Sequence, residues 1–343
     1  MAVHATALLE ARDPASRRAA AGLAAGADVR LDQLALERDS VAVFLKRLQQ
    51  LRRELQGIIA APSTSEFRRF TASSLITEID ALITQATIDL RTLARPTFTK
   101  AAQLGIASVD EPIKAASVAI TASPHLDRAL VTVAFDTTVD LLSEPMLQFR
   151  NQIVQGVRRA AIGGESAFTQ LQQLAQKIDA AGFDAAAFKA ERIYRTEISR
   201  VLNGATYDRL TALAETFPFL RKGWRATKDS RTRLGHVEAA ATYGRGSGIK
   251  IADRFRVNVY QEFPPSAKHP EPRPPKFLGV ATLRYPSDPD TTPAGRLAAA
   301  TTILCRCNSF TDFDVADLQA FSTARTSVPV HVPAFTRGDV GLL

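Results

Sequence analysis

Between Leu31 and about Ala60, apolar side chains fall at Leu34, Val41, Phe44, Leu45, Leu48, Leu51, Leu55 and Ile58, with Arg, Gln and Glu between them. Steps of three and four residues are the period of a helix with one apolar face. Pro62 interrupts the run, and Ser63 with Glu66 has the spacing of a capping box, in which hydroxyl and carboxylate satisfy the free N–H groups of a new helix. That second helix carries Phe67, Phe70, Leu75, Ile79, Leu82, Ala86, Leu90 and Leu93 and is expected to stop at Pro96. The period fades through "SVDEPIKAAS" and resumes near Leu126, in a stretch that Pro145 should kink or split and Gly163-Gly164 should end. "ESAFTQLQQLAQKIDA" and "DAAAFKAERIYRTEISRVLNGATYDRLTALAETF" read as two further helices separated by Ala181-Gly182.

The pattern changes at Pro218. "KGWRATK" is short and rich in strand-compatible residues, "DRFRVNVYQEF" alternates, and "KFLGVATLRY" reads as a third strand. Between the last two, "PPSAKHPEPRPP" lacks the N–H groups that a helix or ladder needs, which predicts an exposed extended loop. The expected fold class is therefore α+β: a mainly helical N-terminal region followed by a small α+β module with a short antiparallel sheet. The boundaries fall at residues 1–150 for the helical region, suited to protein contacts, 151–307 for the module, and 308–343 for a C-terminal tail with one weak helix.

Composition narrows the class. The chain has 343 residues, 45% hydrophobic and 23% charged, which is ordinary globular usage and excludes a disordered chain. No apolar run reaches the length of a membrane span, and the N-terminus lacks the basic start and apolar core of a secretion signal, so a soluble protein made in a cytoplasm is expected, without a membrane partner. The formal charge is +8, and between Glu191 and Tyr260 fourteen Lys/Arg stand against seven Asp/Glu, so this segment carries nearly all the excess. Such a concentration suits either nucleic acid or an acidic protein surface, or a solvated face with internal ion pairs. Candidate contacts are Arg221, Lys222, Arg225, Lys228, Arg245 and Lys250.

The catalytic inventory is thin. There is no G-x-S-x-G elbow, no GxxxxGK[ST] phosphate loop, no strand-linked GxGxxG and no HExxH helix. "GRGSG" offers backbone amides that suit an anion or a flexible turn. Polar residues are densest in "WRATKDSRTRLGH", where Asp229, Arg231 and Arg233 precede His236. The arginine forks suit phosphate or carboxylate, and Asp229 could lock one of them in a local pair. Both cysteines of the chain, Cys305 and Cys307, flank Arg306. With His236 they supply ligands for zinc, and Asp229 could complete a tetrahedron; against this, C-x-C is tighter than the usual C-x2-4-C spacing. The other reading is a reduced pair packed as small hydrophobes.

Taken in order, these elements resemble the phage Mu F-like head morphogenesis family, the minor head or minor capsid proteins of tailed phages. The resemblance covers about Gln152 to Cys307: "IGGES", then "YRTEISRVLNGA" with Arg195, Thr196, Glu197 and Asn203, then Trp224, then "DSRTRLGH" with Asp229, Arg231, Thr232, Arg233 and His236, then "YPSDP" with Pro286, Asp288 and Pro289, and finally Cys305-Arg306-Cys307. Departures are "AAATYGRG" where the family has an Asp-Gly turn, Ser287 where glycine is typical, and an inserted proline-rich loop. The resemblance implies a non-enzymatic virion component near the portal vertex, made in the host cytoplasm, present in multiple copies, and assisting head assembly, DNA packaging or DNA delivery. Implied partners are the portal protein, other head or neck proteins and phage DNA; the motif residues are implied to hold the module together, with no cofactor. Only 36 residues follow Cys307, too few for an attached toxin domain of the kind some relatives carry. Two alternatives stay open: a head-to-tail connector ringing the portal, and a metal-dependent or nucleotide-handling enzyme using Glu197, Asp229, His236 and the cysteines.

Overall fold

The stripe at Leu31 belongs to helix α1, which begins earlier, at Pro14, and runs to Ala60. The computed structural model describes residues 13–61, 69–120, 128–162, 167–178, 183–227, 232–263, 271, 273–290, 293, 295–303 and 305–324. In chain order follow α2 (Arg69–Ala115), α3 (Arg128–Ile162), α4 (Ala167–Lys177), α5 (Phe183–Ala214), β1 (Leu220–Arg225), α6 (Leu234–Thr242), β2 (Phe255–Phe263), β3 (Arg273–Leu283), α7 (Arg296–Thr302), β4 (Asn308–Phe313) and α8 (Val315–Ala324). The fold class is α+β dominated by helices, with two antiparallel two-stranded sheets among the described residues.

Two helices differ from their expected limits. α2 continues through Pro96 to Ala115, and α3 runs unbroken through Pro145. A proline inside a helix costs about 3 kcal/mol, but tertiary burial outweighs that local penalty. Ala94 and Phe98 flank Pro96 and are fully buried, as Leu142, Met146 and Phe149 are around Pro145. The expected capping box at Ser63 and Glu66, and the breaks at Gly163-Gly164 and Ala181-Gly182, lie outside the described residues.

The chain folds into two compact units that interleave along the sequence. The helical unit takes residues 34–101 and 128–201. Its stripe of Val41, Phe44, Leu48, Leu51 and Leu55 on α1 is buried, and Phe44 stacks on Tyr194 of α5 with ring centroids 4.5 Å apart. Tyr194 donates to the Thr97 hydroxyl on α2 at 2.9 Å, and Phe149 of α3 meets Phe183 of α5 edge-on. Ion pairs tie the outer faces, including Arg47 to Asp89 and Arg150 to Asp80.

The mixed unit takes the described residues of 1–33, 102–127 and 202–343. β1 pairs with β4, from Leu220 opposite Phe313 to Arg225 opposite Asn308, and β2 pairs with β3. β4 lies in the segment expected to be tail, yet all six of its residues are buried. One apolar cluster gathers Leu23, Val109, Ile113, Leu210, Phe219, Phe310 and Phe313; a second gathers Trp224, Ala239, Phe255, Val257, Leu283, Cys305 and Cys307. β3 starts within the expected loop, at Arg273 rather than Lys276, and carries exposed Pro274 and Pro275. Pro274 and Pro275 fall at the irregularity between the Phe263–Arg273 and Gln261–Lys276 pairs, where the ladder asks no N–H of them.

A candidate metal centre around His236

The second apolar cluster closes over a histidine and both cysteines. His236 sits in the first turn of α6 and is 3% exposed, with Cys305 at 2% and Cys307 at 3%. α6 can bring His236 this deep because Gly235 has no side chain: a Cβ there would lie 1.7 Å from the Asn258 carbonyl oxygen of β2. The edge of His236 packs against the Trp224 indole, centroids 5.5 Å apart. His236 Nδ1 lies 3.2 Å from Cys307 Sγ and 3.6 Å from Cys305 Sγ, and all three ligand atoms fall within 4.8 Å of one another. Nε2 is buried with no hydrogen-bond partner among the described residues.

The three carbonyls of the C-R-C segment are each held by a side chain. Ser287 Oγ donates to the Cys305 carbonyl at 3.5 Å; Thr227 Oγ1 and Arg30 Nη2 donate to the Arg306 carbonyl at 2.7 and 3.0 Å. Asn203 Nδ2 donates to the Cys307 carbonyl at 3.1 Å, while Asn203 Oδ1 accepts from Ser309 N–H at 2.8 Å. Arg233 donates to the Ile303 carbonyl and Thr232 to the Thr227 carbonyl, which fixes the segment entering α6. Together Thr227, Thr232, Arg233 and Arg306 line a small cavity opening on His236 and the two thiols.

Charge is shared unevenly across the pair. Burial alone would raise the Cys305 thiol, but the hydrogen bond from Cys307 and the neighbouring His236 ring bring it well below its ordinary value. Cys307, bonded to Cys305 and buried, is pushed well above it. Both cysteines are free, with no disulfide between them.

The remaining motif residues serve the framework. Buried Asp288 accepts from Arg284 N–H, Nε and Nη2 at 2.8, 3.0 and 2.8 Å and from Asp290 N–H at 3.0 Å, closing the turn after β3. In that turn Pro286 is buried and Pro289 exposed, and Ser287 takes φ 65°, the left-handed conformation that glycine adopts without strain. Arg195 of the helical unit donates to Glu37 at 2.6 Å and Glu191 at 2.8 Å. Thr196 Oγ1 bonds back to the Arg192 carbonyl, and Glu197 is buried beside Arg200, its acid strength weakened by burial. Asp229, read above as able to lock one of the arginines in a local pair, lies outside the described residues, as do Lys228 and Arg231.

The basic candidates separate. Lys222 is fully buried, which removes it as a surface contact: Nζ donates to the Arg284 carbonyl at 2.8 Å and lies over the Tyr207 and Phe255 rings. Arg221 pairs with Asp314 and Asp317, and Arg225 lies half-buried over Phe310. Arg245 and Lys250 are exposed.

Some framework residues carried no sequence signal. In "GRGSG" the amides of Gly246 and Gly248 do cradle an anion, but it is the buried carboxylate of Asp312, at 2.9 and 3.0 Å. Arg209 and Asp110 form a buried fork. Neither pairing has a local spacing to betray it; a glycine at Gly105 within a long helix, where a Cβ would lie 2.4 Å from the Leu202 carbonyl oxygen, was the available hint of close approach. Compared with family models, with curated proteins and with solved structures, the chain matches none.

Proposed function

We propose that this chain is a structural and assembly protein of a tailed-phage head, associated with the portal vertex and assisting head morphogenesis, DNA packaging or DNA delivery. The observation that carries the reading is how the motif residues are used. Asn203, His236, Cys305 and Cys307 span about a hundred positions of sequence, yet their side chains are buried, with Asn203 donating to the Cys307 carbonyl and His236 facing both thiols, and buried Asp288 accepts from Arg284 to close the turn after β3. Residues whose role is to hold a module together account for a shared motif without a shared reaction. Exposed Arg245 and Lys250 leave a basic surface for an acidic protein face or DNA.

The test is co-expression of the full chain with the portal protein encoded in the same genome, followed by size-exclusion chromatography and native mass measurement. The expected result is co-elution with fewer copies than portal subunits. One copy per portal subunit would move the reading to a connector ring, and separate elution at low salt would overturn it.

A further inference from the structure

We propose that His236, Cys305 and Cys307 form a zinc site that uses three protein ligands and leaves a fourth position to a small oxygen ligand from solvent. This does not depend on the phage reading.

The geometry is that of a tetrahedron missing its centre. With Zn–S near 2.3 Å and Zn–N near 2.0 Å, the nitrogen–sulfur edge of a tetrahedral site is about 3.5 Å. His236 Nδ1 stands 3.2 and 3.6 Å from the two sulfurs, on either side of that value. One nitrogen faces both sulfurs, so Nδ1 is the ligand atom and Nε2 keeps the proton. The donor set of two thiolates and one imidazole selects zinc over magnesium, calcium or manganese, which prefer oxygen.

Preorganisation separates this from two thiols packed as small hydrophobes. A packed pair needs only volume, whereas here the three successive carbonyls of Cys305, Arg306 and Cys307 are each held by a side chain from a different part of the chain. That bracing keeps both sulfurs turned toward His236, which C-x-C spacing would not do by itself. It also answers the objection from spacing: the tight tripeptide is compensated chiefly by anchoring from Thr227, Arg30 and Asn203. Two thiolates neutralise the divalent ion, so burying the assembled site buries little net charge.

The fourth position faces the small cavity beside Thr227, Thr232 and Arg233. Three protein ligands with an open fourth place is the pattern of zinc sites that hold water or an exchangeable anion, unlike closed four-residue structural sites. Each cysteine binds zinc as its thiolate and gives up its proton to solvent.

The test uses the untagged full chain, purified reduced, loaded with zinc and dialysed metal-free, then measured by elemental analysis. About one zinc per chain is expected, falling at least tenfold in Cys305→Ser, Cys307→Ser and His236→Gln. Since those variants could fail to fold, the wild-type chain is also loaded with cobalt. Thiolate-to-cobalt charge transfer together with intense tetrahedral ligand-field bands is the expected spectrum. A folded, reduced wild-type chain that retains no metal, a cobalt spectrum without thiolate bands, or a Cys307→Ser variant with undiminished zinc would each overturn the proposal. Metal content is read on the chain alone, so failure to bind portal leaves it intact and failure to bind zinc leaves the assembly reading intact.

Discussion

Two arginine–aspartate forks, one in each unit, isolate what distinguishes the regions. In the helical unit Arg150 Nε and Nη2 reach Asp80 at 2.6 and 2.6 Å, with the side chains 32% and 36% exposed. In the mixed unit Arg209 makes the same two contacts to Asp110 at 2.7 and 3.2 Å, but the side chains are 6% and 7% exposed. The geometry is alike and the solvent is not. A half-exposed pair is screened and can be replaced by water, whereas a buried pair has given up its hydration and depends on its partner. The contrast extends beyond the forks: the helical unit is built on apolar stripes and buries Thr97, Thr138, Thr196 and Glu197, while the mixed unit buries Asn203, Lys222, His236, Asp288, Asn308 and Asp312. A unit stitched from distant segments relies on specific polar brackets where continuous helices rely on area.

The sharpest way to break that contrast is to remove one carboxylate from the buried fork. Asp110→Ala should destabilise the chain by about 3–5 kcal/mol, because the buried Arg209 guanidinium loses the carboxylate that accepts from its Nε and Nη2. Denaturant midpoints measure it. Replacing both partners, with Asp110→Leu and Arg209→Met together, should recover most of that loss; if the double variant is as unstable as the single one, shape rather than charge holds this region.

Lys222 tests the same idea through pH. Burial pushes its ammonium down to about 7, against smaller opposing pulls from Asp253 and Asp288, with Arg254 and Arg284 adding to the depression. The unfolded lysine titrates near its ordinary 10.5. Between those values the unfolded chain binds a proton that the folded chain does not, so stability rises with pH across this window. Below it both states are protonated and the full penalty stands. The wild-type chain should therefore gain stability relative to Lys222→Met as pH is raised from 7 to 9, read as a rise in the wild-type midpoint minus the variant's; parallel curves would show that the lysine is not desolvated as the contacts imply.

The exposed fork supplies the third test. Asp80→Ala should cost no more than about 1 kcal/mol despite its shorter contacts. A loss approaching that of Asp110→Ala would erase the distinction between the units.

Legibility in the sequence follows the same division. The stripes of α1 and α2 could be read directly, since an apolar face repeats locally and only the ends went astray. Pro96 misled because a local rule about hydrogen bonds says nothing of the burial of Ala94 and Phe98. β4 could not be read at all: Asn308, Ser309, Thr311 and Asp312 are polar yet buried, so no alternation survives, and the partner strand lies some ninety residues earlier. The site divides likewise. His236 and the C-R-C pair were visible because their chemistry is unusual wherever it occurs, and the structure does bring them together. The brackets from Thr227 and Arg30 were invisible because their targets are carbonyls, which every residue carries.

The smallest predicted effect probes where a buried polar group in the mixed unit should matter least. Ser287 is fully buried at φ 65°, a conformation that costs a non-glycine residue about 1–2 kcal/mol. Ser287→Gly relieves that strain but gives the unfolded chain more freedom, an opposing change of about 0.5–1 kcal/mol. It also removes the hydroxyl that reaches the Cys305 carbonyl at 3.5 Å, the longest of the four bonds bracing the C-R-C segment. A bond that long contributes little, so the melting temperature should stay level or rise slightly, with zinc content unchanged. A fall of more than about 1 kcal/mol would mean that the hydroxyl outweighs the relief of strain. Loss of zinc in a variant that still melts like the parent would be more informative, since it would assign Ser287 to positioning Cys305 rather than to holding the turn.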